Sequence, residues 1–439
     1  MSRFLAPVLG VSLCVAAAQA DDWPAWRGPT GQGLLSDKGV PVKWTAKENV
    51  RWKVALEFPG NSTPIVWGDK IFLTQANKDP NPKKDADGKV DPKQSKDGKV
   101  RNLLCLSRAD GKTVWRQDVK YDEFERNWPN IPYANASPAT DGERVVACFG
   151  SAGLYCYDLS GKELWKRTDL GQWDHIFGNG ASPVIHGDLV VQWCGPNDPK
   201  GDNYLLAVNK KTGETVWRHD EPYGSWITPL VARVNDKNQL IIGQSRDVKN
   251  RPEAEWGFLK GIDPASGKEL WRCRGLNSYF YASPLFADGI AVGMSGYGGS
   301  AFAVKLGGKG DITADRLWLQ KSPANQRVGS GVIVGGHVYV VDENAIPRCY
   351  DLKTGENKWA DAERVKGQLT WGSMVHAEGR LYVMMRDGTT VVLAADPKFE
   401  VLAVNPLEPG EQTNSSPAIA GGEIYLRTFK HLYCIGGKP

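Results

Sequence analysis

The chain has 439 residues, 41% of them hydrophobic and 24% charged, with 54 basic against 50 acidic side chains. So even a balance leaves no electrostatic case for a nucleic-acid partner. Seventeen tryptophans and 49 glycines beside only five methionines, without a helix-period apolar stripe, point away from a helical bundle and toward many short strands and tight turns.

Residues 1–20 carry one positive charge at Arg3, an apolar stretch from Phe4 to Ala18 and Ala18-Gln19-Ala20 before a polar start at Asp21. That layout predicts a cleaved secretory signal, too short for a membrane span, and hence a periplasmic or secreted product. Leu13 immediately before Cys14 does not fit a lipid-attachment signal, so a free product is expected. Removing Arg3 leaves 53 basic against 50 acidic residues, about +3. Residues 21–48 read as an N-terminal extension. Asn49–Leu56 then reads as one isolated strand containing Trp52.

From residue 62 onward one pattern recurs eight times at a spacing of mostly 41 to 55 residues. Each copy opens on a small step, usually with proline: Ser62-Thr63-Pro64, Ser137-Pro138, Ser182-Pro183, Thr228-Pro229, Ser283-Pro284, Ser330-Gly331, Ser373-Met374 and Ser416-Pro417. An alternating strand, a turn such as Asp141-Gly142 or Gly187-Asp188, and a second strand follow. A third strand carries a small residue: Cys105, Cys156, Ala207, Gly261, Ala303, Cys349, Ala394 and Cys434. A glycine then leads into a fourth strand ending at tryptophan, as in Gly111-Lys-Thr-Val-Trp115 and its copies at Trp165, Trp217, Trp271 and Trp359, with Trp318 and Leu402 degenerate.

Repeats of this length are four-stranded propeller blades. The predicted fold is all-β, an eight-bladed β-propeller of four-stranded antiparallel blades over residues 49–439. The last copy stops short of a fourth strand, so Trp52 is expected to complete it, closing the ring with strands from both ends of the chain and removing two open sheet edges. Residues 77–100, with seven lysines, five aspartates and three prolines, read as a mobile insertion in the first blade; Asp85-Ala86-Asp87-Gly88 begins like a calcium loop but lacks its closing glutamate.

The glycine-to-tryptophan motif, with Asp158, Asp263 or Asp351 two residues past the small position, resembles the pyrroloquinoline quinone (PQQ) propeller repeat, and Trp23-Pro24-Ala25-Trp26-Arg27-Gly28-Pro29 is similar to the start of exported PQQ-binding-like propellers. The resemblance implies that Trp52, Trp115, Trp165, Trp217, Trp271, Trp318 and Trp359 dock neighbouring blades. It brackets two functions: quinoprotein dehydrogenases, which hold PQQ and calcium on the axis, and BamB, a non-enzymatic scaffold of outer-membrane protein assembly. The chain has no adjacent cysteine pair and no Cys-x-x-Cys-His haem attachment. No cofactor is therefore expected, and PQQ with calcium stands as the alternative.

Four of the seven cysteines past the signal fill the small position, and the six histidines show no metal-ligand spacing. A bridge between Cys148 and Cys194 is left open. Candidate ligand-binding residues come from the segments that join one blade's fourth strand to the next blade's first: Trp128, Tyr133, Asn135, Trp173, His175, Asn179, Trp226, Tyr279, Arg327, Trp371 and Asn414. Rigid rings give contact area and amides give orientation. Asp174 and His175 have no nucleophile at defined spacing, so no catalytic residue is assigned. The expected protein is a monomeric, non-catalytic binding or scaffolding propeller that holds a protein partner or a small-molecule or glycan ligand on its axial loop face, with a PQQ-dependent oxidoreductase and a glycan-binding module as alternatives.

Overall fold

Short alternating strands and glycine-bearing turns build eight small sheets in the computed structural model, which describes residues 22–436 except 37, 84–86, 88–94, 126–127, 129–130, 174, 197–201 and 322–327. The expected signal, Arg327, Asp174 and residues 84–86 and 88–94 of the insertion lie outside the described residues. Blade 1 comprises Ile65–Trp67, Lys70–Ala76, Val100–Ser107 and Thr113–Lys120, hydrogen-bonded in that order. Blades 2 to 5 repeat it over 139–167, 184–221, 230–276 and 285–320. Blade 7 covers 375–405. The first strand of each blade lies nearest the axis. The fourth lies outermost, where Val114, Leu164, Val216, Leu317 and Val401 are exposed.

The predicted closure is borne out. Val50–Ala55 pairs antiparallel with His431–Ile435, setting Trp52 opposite Cys434, so blade 8 takes its outer strand from the N-terminal part of the chain. Elsewhere the small position likewise faces the tryptophan across the sheet: Cys105 faces Trp115, Ala207 faces Trp217 and Gly261 faces Trp271. Only a small residue leaves room for the indole to lie flat, and an added Cβ on Gly261 would stand 2.0 Å from Trp271 Nε1.

Two blades depart from the expected pattern. In blade 7 the facing pair is Val392 and Ala403, not Ala394 with Leu402, so the bulky and small members have changed sides; Trp44, from the N-terminal segment, joins the same buried cluster. In blade 6 Trp359 docks, but the fourth strand is reduced to a single bridge between Tyr350 and Asn357. Asn357 Oδ1 accepts from Trp359 N, a local turn that competes with strand pairing.

Docking runs from each blade to the next. Trp52, Trp115, Trp165, Trp217, Trp318 and Trp359 donate from Nε1 to the carbonyls of Arg108, Leu159, Lys210, Pro264, Leu352 and Asp396, all at 2.9–3.0 Å. Trp271 instead donates to Gln239 of its own blade. The motif glycine receives the preceding blade's indole: a Cβ on Gly213, at φ +75°, would stand 2.8 Å from Trp165.

Residues 23–35 run along the axis. Trp23 bridges Val66 of blade 1, Pro24 O accepts from Thr140 N of blade 2, Gln32 Oε1 accepts from Phe286 N of blade 5, and Leu34–Leu35 pairs parallel with Val375–Ala377 of blade 7. Arg27 is fully buried and donates to the Gly331 carbonyl of blade 6; burial lowers its guanidinium to about 9. The extension is thus an axial plug bonded to five blades.

Candidate functional site

The repeated small step performs one job in all eight blades. Each of its serines or threonines donates from backbone N–H to the hydroxyl of the next blade's counterpart: Thr63 to Ser137, Ser137 to Ser182, Ser182 to Thr228, Thr228 to Ser283, Ser283 to Ser330, Ser330 to Ser373, Ser373 to Ser416, and Ser416 back to Thr63, at 2.8–3.2 Å. The proline that usually follows opens the inner strand, where its missing N–H costs no ladder bond. Every hydroxyl of this closed ring is used as an acceptor. Among the described residues none of the eight O–H groups has an acceptor of its own.

Above the ring, on the face where chains enter the inner strands, lies a cavity of about 180 Å³ with Trp26 of the plug among its lining residues. Its walls come from the residue two positions before each hydroxyl. Asn414, Asn61 and Asn135 occupy that place in blades 8, 1 and 2, and they form a relay: Asn414 Nδ2 donates to Asn61 Oδ1 (3.2 Å), Asn61 Nδ2 to Asn135 Oδ1 (2.6 Å), and Asn135 Nδ2 to Phe177 O (3.4 Å). Trp226, Tyr281, Val328 and Trp371 occupy it in blades 4 to 7. The cup therefore has an amide arc facing an aromatic one.

The aromatic arc continues onto the rim. Trp226 packs against His175 (4.8 Å between ring centres), Tyr281 (5.0 Å) and Tyr279 (6.0 Å), and Phe177 carries the belt to Trp128. Trp128 is 49% exposed. Tyr297 closes the belt against Tyr281 at φ +47°, a left-handed conformation that is strained for a bulky residue.

Of the candidates read from sequence, Asn135, Trp226, Trp371 and Asn414 line the cup, and Trp128, His175 and Tyr279 stand on its rim. Three stand elsewhere. Trp173 is buried, its N–H on Ser151 Oγ and its indole on the Asp202 carbonyl. Tyr133 lies against the guanidinium of Arg101, in a buried cluster where Arg101 pairs with Glu125. Asn179 is buried and accepts from Ala181 N, capping the turn into blade 3. The site also draws on Phe177 and Tyr281, which lie in the joining segments already singled out, and on Trp26, Asn61, Tyr297 and six of the ring hydroxyls, which do not figure among the candidates. Asn61 was findable from its place two residues before the repeated hydroxyl.

The described lining holds no Asp, Glu, Lys, Arg, His or Cys. Charge stands behind the wall: Arg386 stacks over Trp371 at 4.5 Å, and burial holds its guanidinium below the ordinary value. Burial, and then the neighbouring Tyr297, raises the Tyr281 hydroxyl, which stays neutral at any physiological pH. His175 Nδ1 accepts from Phe177 N, so it caps a turn. PQQ carries three carboxylates and is held beside a metal, and the described lining offers neither a cation to the first nor a ligand set to the second; among the described residues no group of three or more His, Cys, Asp or Glu is placed to hold a metal ion. The described lining does not match that cofactor. All seven described cysteines are free thiols in the interior, Cys148 and Cys194 included.

The sequence model of the family described as outer membrane protein assembly factor BamB matches residues 96–361. Among solved structures, the chain is similar to BamB from Moraxella catarrhalis, at 13% identity over 88% of this chain and 96% of that one with a TM-score of 0.58. It is similar to a europium-containing methanol dehydrogenase, at 11% identity over 95% and 98% with a TM-score of 0.66. A third is quinohemoprotein alcohol dehydrogenase from Comamonas testosteroni, at 12% identity over 97% and 82% with a TM-score of 0.64. At such identities the likeness is one of fold. No curated protein matches. No helix among the described residues is long and apolar enough to cross a membrane.

Proposed function

The chain belongs to the family of outer membrane protein assembly factor BamB, and on that footing we propose that it is a non-catalytic binding propeller that receives its partner or ligand in the axial cup. One observation carries the reading. The cup combines rigid rings and oriented amides, the groups that recognise a ligand, with no side chain in its described lining able to act as nucleophile, general acid or base near neutral pH. Among the described residues its hydroxyls lie in a neutral lining that supplies no base to activate them. Export to the periplasm or beyond forms part of the reading and is supported by the leader-like residues 1–20.

Photo-crosslinking tests it. A photoreactive amino acid replacing Phe177 in the cup wall, in cells expressing the full chain, is expected to capture a discrete envelope component, whereas the same group replacing Val216 on the outer edge is not. Capture from Val216 alone would move the site to the rim of the ring and overturn the reading.

A further inference from the structure

We propose that the cup receives a single neutral pyranose ring, the accessible end of a glycan or glycoside; this inference rests on the binding reading above and names the chemistry of its ligand. Charge decides first. An anionic or cationic ligand would leave water for a cup whose described lining offers no opposite charge, and burying an unpaired ion is strongly unfavourable. The same argument weighs against the end of a polypeptide, which brings an ammonium or a carboxylate. A through-going peptide meets the plug, since Trp26 lines both the cup and a second cavity on the far side.

Size and polarity narrow the choice. At about 180 Å³ the space is smaller than the 300 Å³ or more typical of drug-sized ligands, so one ring enters and the remainder of a larger molecule lies over the rim. The floor presents ring hydroxyls whose oxygens already accept a backbone N–H, leaving hydrogens to donate toward the axis. The amide relay ends in Asn414 Oδ1, a buried acceptor with no partner. A ligand must therefore accept several hydrogen bonds and donate at least one, as the vicinal hydroxyls of a sugar do. Opposite stand Trp226, Tyr281 and Trp371, against which the apolar C–H face of a pyranose packs. A polyol ring with one polar edge and one apolar face matches this division.

Isothermal calorimetry and tryptophan fluorescence on the full mature chain, with methyl glucoside, galactoside, mannoside and N-acetylglucosaminide as probes, test the assignment. At least one neutral pyranoside is expected to bind saturably in the millimolar range, as fits so small a ligand, with glucuronate and glucosamine at least tenfold weaker. Asn414→Asp is expected to reverse that order in favour of glucosamine, and Asn61→Leu, which breaks the relay, to weaken every sugar tenfold or more. Circular dichroism on both variants confirms that a lost signal comes from a folded chain. Saturable binding of adenosine, free PQQ or charged sugars in preference to every neutral one overturns the proposal, as does an unaltered order in Asn414→Asp. Absence of all sugar binding in a chain that still crosslinks a protein through position 177 overturns it while leaving the binding reading intact.

Discussion

Thr228 allows the hydroxyl ring to be tested at nearly constant volume. Its Oγ1 accepts from Ser182 N at 3.0 Å, and both residues are buried, at 8% and 2% exposure. Thr228→Val keeps the shape and removes the acceptor, leaving a buried N–H without a partner, which costs about 1–3 kcal/mol. Thr228→Ser keeps the acceptor and removes one methyl, at most about 0.8 kcal/mol. Unfolding entropy of about 2.1 cal/mol/K per residue, over 439 residues, gives about 0.9 kcal/mol/K, so the valine variant is expected to melt roughly 1–3 °C below the parent and the serine variant by less than 1 °C. Shifts this small call for urea titration as the primary assay, with the midpoint as readout and the slope checked for constancy. A serine variant as destabilised as the valine variant would refute the ring as a stabilising element, since the methyl and not the hydroxyl would then carry the cost.

Docking has an internal control. Gly213 and Gly187 both have left-handed φ, +75° and +58°, but only at Gly213 would a Cβ meet an indole, Trp165, at 2.8 Å. Alanine at Gly187 should cost the conformational strain alone, about 1–2 kcal/mol, and at Gly213 clearly more by urea midpoint; equal costs would leave the docking contact without a role. Acid should weaken the closure. Burial pushes the Glu423 carboxyl upward, but bonds from Tyr425 and Arg51 and the charge of Arg108 outweigh it and hold the group below its ordinary 4.5. A carboxyl depressed in the folded state contributes stability above 4.5 that is lost as pH falls through the folded value, so the urea midpoint should drop on acidification and Glu423→Gln should flatten that limb. Burial raises the thiols of Cys105, Cys148, Cys156, Cys273 and Cys434 to about 12, so a thiol-specific chromogenic reagent should find none of the seven described cysteines reactive until denaturant is added.

The blades and their closure were legible because each is local: a hairpin, a turn glycine and a tryptophan fall within about 45 residues, and the period repeats. The axial course of residues 23–35 was not. Its partners lie more than 300 residues away, at Gly331 and His376, and a segment that bonds to one blade after another has no periodicity of its own to betray a strand. In blade 7 smallness alone points to Ala394, two residues out of register; the facing pair has Val392 in place of the small member and Ala403 in place of the large one, which no single-strand pattern reveals. Aromaticity alone marks Trp173 and Tyr133 as ligand contacts, but an indole on the Asp202 carbonyl or a phenol against Arg101 is equally an anchor for the loop that carries it.

The same repeat explains where the functional information lies. Positions that agree among blades, the ring hydroxyl and the glycine-tryptophan pair, are fixed by the need to join each blade to the next, and a change there breaks a bond between neighbours. The position two residues earlier points its side chain into the cup and bonds to no ring member, so closure leaves it free to vary. It holds Asn61, Asn135, Gly180, Trp226, Tyr281, Val328, Trp371 and Asn414 in turn, and that sequence around the circle, amides on one arc and rings on the other, sets the polarity of the site. On the proposed function, differences between repeats at one register position carry the recognition, while their likeness carries the fold. Exchanging Asn61 and Trp371 between their blades should keep the melting temperature within a few degrees yet abolish binding in the cup, whereas moving a ring hydroxyl by one residue should destabilise the propeller.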